Sequence, residues 1–99
     1  MGQNERFIDP RYKLYLLSLI EEKGPLAEFQ IPTELLPFFA HLRYLGLVER
    51  ETKFLRAKSP FGGTYYREWV QWAITPKGKR LLDMSEADAL ESIKRMQEE

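Results

Sequence analysis

His41-Leu42-Arg43-Tyr44-Leu45-Gly46-Leu47-Val48-Glu49-Arg50 changes its hydrophobic period halfway along. Up to Leu45 the apolar residues keep a helical spacing, so Leu35, Phe38, Phe39, Leu42 and Leu45 share one face. Gly46 follows, and glycine tolerates the left-handed backbone that commonly ends a helix. Leu47 and Val48 then turn the chain toward a core and open a strand. The stretch predicts a helix, a tight glycine exit and a strand, in that order.

Downstream, the strand runs to about Ala57 and meets a turn cluster, Ser59-Pro60-Phe61-Gly62-Gly63. Glu68-Trp69-Val70-Gln71-Trp72-Ala73-Ile74 then alternates, with Val70, Trp72 and Ile74 on one face. Two strands around a Pro/Gly loop make an antiparallel hairpin. Its aromatic residues, Phe54, Tyr65, Tyr66, Trp69 and Trp72, suit a pleated, half-buried surface. Thr75-Pro76 starts another helix, which carries Leu81 and Leu82. Ser85 followed by Glu86 and Asp88 makes a capped, dipole-compatible start for a C-terminal helix, in which Ala89, Ile93 and Met96 form a narrow apolar seam.

Upstream, Pro37 governs where the central helix begins. If Thr33 caps it, Pro37 falls where the first ladder amide belongs; if Leu36 precedes the start, Pro37 is a comfortable first residue, and this later start is expected. Ile31-Pro32 forces an extended or turn conformation, which leaves Leu26 to Gln30 room for barely one helical turn. Asp9-Pro10 signals the start of a first helix, and Lys23-Gly24-Pro25 supplies its stop. Between them Tyr12, Leu16, Leu19 and Ile20 repeat at helical spacing while Leu14, Tyr15 and Leu17 widen the apolar face, so this helix should be largely buried.

The 99 residues are 43% hydrophobic, 13% aromatic and 30% charged, the balance of one soluble globular domain rather than of a disordered chain. No apolar run approaches the roughly 20 residues needed to cross a bilayer. The start Met1-Gly2-Gln3-Asn4-Glu5-Arg6 lacks the order of a signal peptide, and Arg6 stands where a myristoylation signal wants Ser or Thr, so a cytoplasmic protein without a membrane partner is expected. Cysteine is absent and His41 is the one imidazole, which removes disulfides, thiolate zinc sites and thiol nucleophiles, and no metal or cofactor is expected. Glu21 and Glu22 are adjacent on a helix and point in different directions, so they read as a solvated helix end rather than an acid/base pair. With no nucleophile set beside a base and no glycine-rich phosphate loop, the chain is not expected to be an enzyme.

Fifteen basic residues balance fifteen acidic ones, but unevenly along the chain. Residues 1–50 hold six Lys/Arg and seven Asp/Glu, residues 51–80 hold seven and two, and residues 81–99 hold two and six. The middle stretch is the pattern of a local phosphate-facing surface, or of a basic segment neutralised by its flanks.

The expected order is therefore helix, short helix, helix, strand, wing-like loop, strand, helix, helix: mainly α with a small antiparallel β-hairpin, an α+β class. This order resembles the winged helix-turn-helix superfamily. The run from His41 to Arg50 resembles the end of a recognition helix entering the first wing strand, and Ile74-Thr75-Pro76-Lys77-Gly78-Lys79-Arg80-Leu81-Leu82 is similar to the strand-to-helix junction after the wing in MarR-like and PadR-like regulators. The resemblance covers residues 9–83, leaving a tail over 1–8 and an extra C-terminal helix over 84–99. It implies a small transcriptional regulator that binds double-stranded DNA, with Thr33, Glu34, Pro37, Phe38 and His41 facing a groove and Arg43 and Tyr44 further along. Pro37, Phe38 and Glu34 stand where base-reading helices offer Arg, Lys, Asn or Gln, so base-specific reading is not expected of this helix. His41 has two readings, a phosphate or base contact and a polar residue at the edge of the core. In the wing, Lys53, Arg56, Lys58 and Arg67 flank residues 59–66 and are placed to neutralise phosphates, with Tyr65 or Tyr66 adding hydroxyl or stacking contacts. Lys77, Lys79 and Arg80 add charge at the next helix, where Lys77 and Lys79 oppose its dipole unless an acceptor lies near. The apolar seam and the superfamily's symmetric half-sites imply a homodimer through the C-terminal helix; packing of that seam on the first helix is the alternative. A second functional reading keeps the fold and makes the chain a protein-protein interaction module that does not bind DNA specifically.

Overall fold

The computed structural model describes residues 9–98; the expectation for the tail over 1–8 lies outside them. The elements are α1 (Pro10–Lys23), β1 (Leu26–Ala27), two 3-10 turns (Glu28–Gln30 and Thr33–Leu35), α2 (Leu36–Tyr44), β2 (Val48–Lys58), β3 (Thr64–Ile74), α3 (Pro76–Asp83) and α4 (Glu86–Glu98). Four helices and a three-stranded antiparallel sheet give an α+β architecture.

The junction at Gly46 forms through local bonds. The amide of Leu47 donates to the Leu42 carbonyl at 3.0 Å and that of Gly46 to Arg43 at 2.9 Å, with Gly46 at φ 80°. This is a Schellman closure, which satisfies carbonyls that a helix end leaves unpaired. The helix starts are equally local. The Asp9 carboxylate accepts from the Arg11 amide, Thr75 Oγ1 from the Gly78 amide and Ser85 Oγ from the Asp88 amide. α2 begins one residue earlier than expected, at Leu36, because the 3-10 turn Thr33–Leu35 runs directly into it and Pro37, in the first turn, has no amide to leave unpaired.

The expectation of a simple hairpin is corrected to a sheet of order β1-β3-β2. Leu26 and Ala27 pair with Trp72 and Gln71, and two residues carry no periodicity by which to be found. Of the expected short helix, only the turn Glu28–Gln30 forms. β3 begins at Thr64, four residues ahead of the expected Glu68, and its register puts Val48 opposite Ile74 and Lys58 opposite Thr64. Paired residues share a face, so Val48, Trp72 and Ile74 lie on the side that the helices cover.

The core is built from Leu16, Leu17 and Ile20 of α1, Phe39 and Leu42 of α2, Leu47, Val48 and Trp72, Leu81 of α3, and Ala89 and Ile93 of α4. The Phe39 ring meets Trp72 edge-on at 5.9 Å. α1 is not buried all round, because Tyr15 stays exposed, and its buried row includes a charged residue, Lys13. Ala89 and Ile93, 1% and 0% exposed, pack inside the chain, where α4 lies on α1. Of the seam expected to join two copies, Ala89 and Ile93 are thus part of the chain's own core, and Met96 is half-buried against it.

The described residues extend 55 × 31 × 22 Å with a radius of gyration of 16.4 Å. A compact chain of this length has a radius nearer about 13 Å. The excess belongs to the distal half of the β2–β3 hairpin, which runs out past the helices and is exposed on both faces.

Candidate nucleic-acid interface

The hairpin places every expected wing residue, and it divides them. Arg56 pairs with Tyr66 and Lys58 with Thr64, on the face that carries the core at its base; Lys53 pairs with Trp69, Leu55 with Arg67 and Ala57 with Tyr65, on the opposite face. The four cations therefore do not form one patch. Arg56 and Lys58 look one way, Lys53 and Arg67 the other.

On the first face the Phe54 and Tyr66 rings lie 5.3 Å apart, and the Arg56 guanidinium sits 5.9 Å from the Tyr66 centroid. This ladder of cation and rings keeps a planar, weakly hydrated charge beside a flat π-surface, which suits both phosphate contact and stacking. On the second face Lys53 Nζ lies 2.9 Å from Glu51 Oε2. Their hydrogen bond and mutual attraction raise the Lys53 pKa and lower that of Glu51. Lys53, nearest the body, is thus partly neutralised by its neighbour, whereas Arg56, Lys58 and Arg67 project into solvent. From 52 to 67 the chain has four cations and no carboxylate.

The expectation that the hairpin aromatics are half-buried holds for Trp69 and is exceeded by Trp72, at 4% exposure, but fails further out. Phe54, Tyr65 and Tyr66 are 62%, 50% and 58% exposed, because no helix reaches over the distal strands. Phe61, at 97% exposure, is the most exposed large hydrophobic side chain among the described residues, whereas Trp69 is half-buried, so the two are not exposed together. Leu55, Arg67, Trp69 and Phe29 surround a shallow recess of about 240 Å³ on the second face.

Around α2, Thr33, Glu34, Pro37, Arg43 and Tyr44 are exposed, while Phe38 is half-buried with its ring 5.0 Å from Tyr12. His41 is also half-buried, and its ring stacks on Tyr44 at 6.1 Å. Burial, and then the Lys13 cation, lower its pKa below the ordinary 6.5, so the imidazole is neutral near pH 7. His41 therefore stands at the edge of the core.

The basic stretch 51–80 does not form a single surface. Lys77, Lys79 and Arg80 lie beyond Ile74, at the base of the hairpin, a strand length of roughly 35 Å from its tip. Lys77 Nζ donates to the Leu45 carbonyl at 3.0 Å, so its charge sits at the negative C-terminal end of α2 rather than against the dipole of its own helix. Thr75 Oγ1 donates to the Gly46 carbonyl at 2.7 Å, and the Thr75 amide to Leu47. The two strings quoted from the sequence thus meet in space and lock the root of the hairpin to the end of α2. At that root, Trp72 Nε1 and Arg50 Nε both donate to Glu28 Oε1 at 3.1 Å, and these two bonds, that from Arg50 foremost, lower the Glu28 pKa.

Among the described residues no group of three or more His, Asp or Glu side chains is placed to hold a metal ion, and no helix is long and apolar enough to cross a membrane. No protein-family model matches the chain, and no curated protein or solved structure is significantly similar to it.

Proposed function

We propose that this chain is a winged helix-turn-helix protein that grips duplex DNA through its hairpin and acts as a small transcriptional regulator. The observation that carries the proposal is the projecting hairpin, whose residues 52–67 hold Lys53, Arg56, Lys58 and Arg67 and no acid. Such a segment attracts a polyanion by releasing its counterions, without regard to base sequence. The element order and the joint between α2 and the hairpin root support the winged-helix reading. In this reading α2 settles against the groove with Thr33, Arg43 and Tyr44, and the wing supplies the phosphate contacts. Glu34 and Pro37, which are also exposed, disfavour readout of bases by α2.

Fluorescence anisotropy with random labelled duplex tests this. Each phosphate neutralised contributes about 0.9 to the slope of log K against log salt. Arg56→Ala/Lys58→Ala/Arg67→Ala should lower that slope by about 2.7, equivalent to roughly 40-fold less loss of affinity between 50 and 200 mM salt. The three side chains are exposed, so the variant should retain the wild-type circular dichroism. Equal slopes for the two proteins would refute the assignment. A second reading, a protein-interaction module, has one observation in its favour: the apolar recess between Phe29, Leu55 and Trp69, with Phe29 75% exposed. Absence of duplex binding at low salt selects it.

A further inference from the structure

We propose that the hairpin enters the minor groove tip first and that Phe61 wedges between two base pairs and bends the duplex, a mode that rests on the DNA reading above. Phe61 is 97% exposed, so its ring is left in water where a folded chain has every reason to cover it. The tip holds it there. The Ser59 amide donates to the Gly63 carbonyl at 3.0 Å, the Gly62 amide to the Ser59 carbonyl at 3.1 Å, and the Phe61 amide to Ser59 Oγ at 3.1 Å. Pro60 fixes its own φ, while Gly62 and Gly63 take φ values of 92° and 80° that side chains rarely adopt. The reversal is completed by glycines, and the one large apolar side chain of the turn is presented outward on a hydrogen-bonded frame. An ordered, protruding apolar residue is what separates base pairs in minor-groove proteins, where an apolar wedge unstacks a step and kinks the duplex.

The distribution of charge fits entry between two walls. Arg56 and Lys58 lie on one face and Arg67 on the other, so a hairpin inside a groove meets phosphates on both sides. A two-stranded ribbon with its side chains is about 10 Å thick, whereas the undistorted minor groove is about 6 Å wide. Unstacking at the tip is therefore the event that admits the ribbon. The apolar side chains argue against a lipid surface as the occupant, because they too are divided, Phe54 and Tyr66 on one face, Leu55 and Tyr65 on the other. A hairpin lying on a membrane gathers them on a single face.

The test is energy transfer between dyes at the two ends of a 40-base-pair duplex saturated with the full chain. Wild type should draw the ends together by a bend in the range of about 20–90°. Phe61→Ala, which cannot open the groove, should weaken duplex binding and leave the duplex it does bind straight. Phe61→Leu, which keeps a wedge, should retain part of the bend. A bend that is absent in wild type, or equal in wild type and Phe61→Ala, overturns the wedge while the phosphate grip stands. Failure of wild type to bind duplex at low salt removes the DNA reading itself, and the wedge with it. Phe61-dependent binding to phosphatidylcholine–phosphatidylserine vesicles without duplex binding assigns the tip to lipid and overturns the proposal.

Discussion

Raising the pH from 7 to 9.5 should stabilise this protein. Lys13 lies on the buried side of α1 with no exposed surface. Burial draws its pKa down from the ordinary 10.5 to about 8, against the opposing pull of the Asp9 carboxylate. Between these two values the unfolded chain holds a proton that the folded chain has released, and stability rises with pH wherever the unfolded state binds more protons. With about 1.36 kcal/mol per pH unit of difference, and with the folded amine neutral while the unfolded one is still mostly charged at pH 9.5, the gain over this range is roughly 2 kcal/mol. Carboxylates are already ionised throughout it. Urea unfolding followed by far-ultraviolet circular dichroism should therefore show a midpoint that climbs by roughly 0.7–2 M, given denaturant slopes of about 1–3 kcal/mol per molar. Lys13→Met keeps an unbranched stem and removes the charge, and its profile should be flat over the same range. A wild-type midpoint that stays level or falls, or a climb that persists in Lys13→Met, would show that the Lys13 amine is not desolvated in the folded state.

Two further outcomes follow from the same packing. Gly78→Ala places a Cβ 2.7 Å from Ile74 Cγ1 and closer still to the Leu47 carbonyl oxygen, which is itself held by the Thr75 amide. Overpacking of this kind costs about 1–3 kcal/mol and outweighs the gain in helix propensity of up to about 1 kcal/mol, so the thermal midpoint should fall by several degrees; a rise would show that the strand end yields. His41 should titrate by nuclear magnetic resonance below 6.5, and Lys13→Met should move its midpoint upward by removing the nearby cation. Because the folded imidazole resists protonation, folding weakens as pH falls below 6.5. An unchanged His41 midpoint in the variant would remove Lys13 from that account.

What the sequence determined by itself is what short-range bonds determine. Asp9, Thr75 and Ser85 cap helices through amides two or three residues away, and Gly46 ends α2 by bonds that span three to five residues, so each was legible as a local string. The alternation of Val70, Trp72 and Ile74 likewise fixed which side of β3 meets the core, and the basic character of 52–67 is plain in the residues themselves. The tertiary structure decided the rest, because it depends on partners far along the chain. β1 exists only because the edge of β3 is there to pair with it, Lys77 is a helix cap only because Leu45 lies under its amine, and Lys13 is desolvated only once the helices close over it. Which cations share a face followed from the cross-strand register, and that register needed the four extra residues of β3 that sequence periodicity did not mark. Exposure of Phe54, Tyr66 and Phe61 was decided by the reach of the helices: strands of eleven residues outrun the layer that covers their base, and an apolar side chain is buried only where another element arrives to meet it.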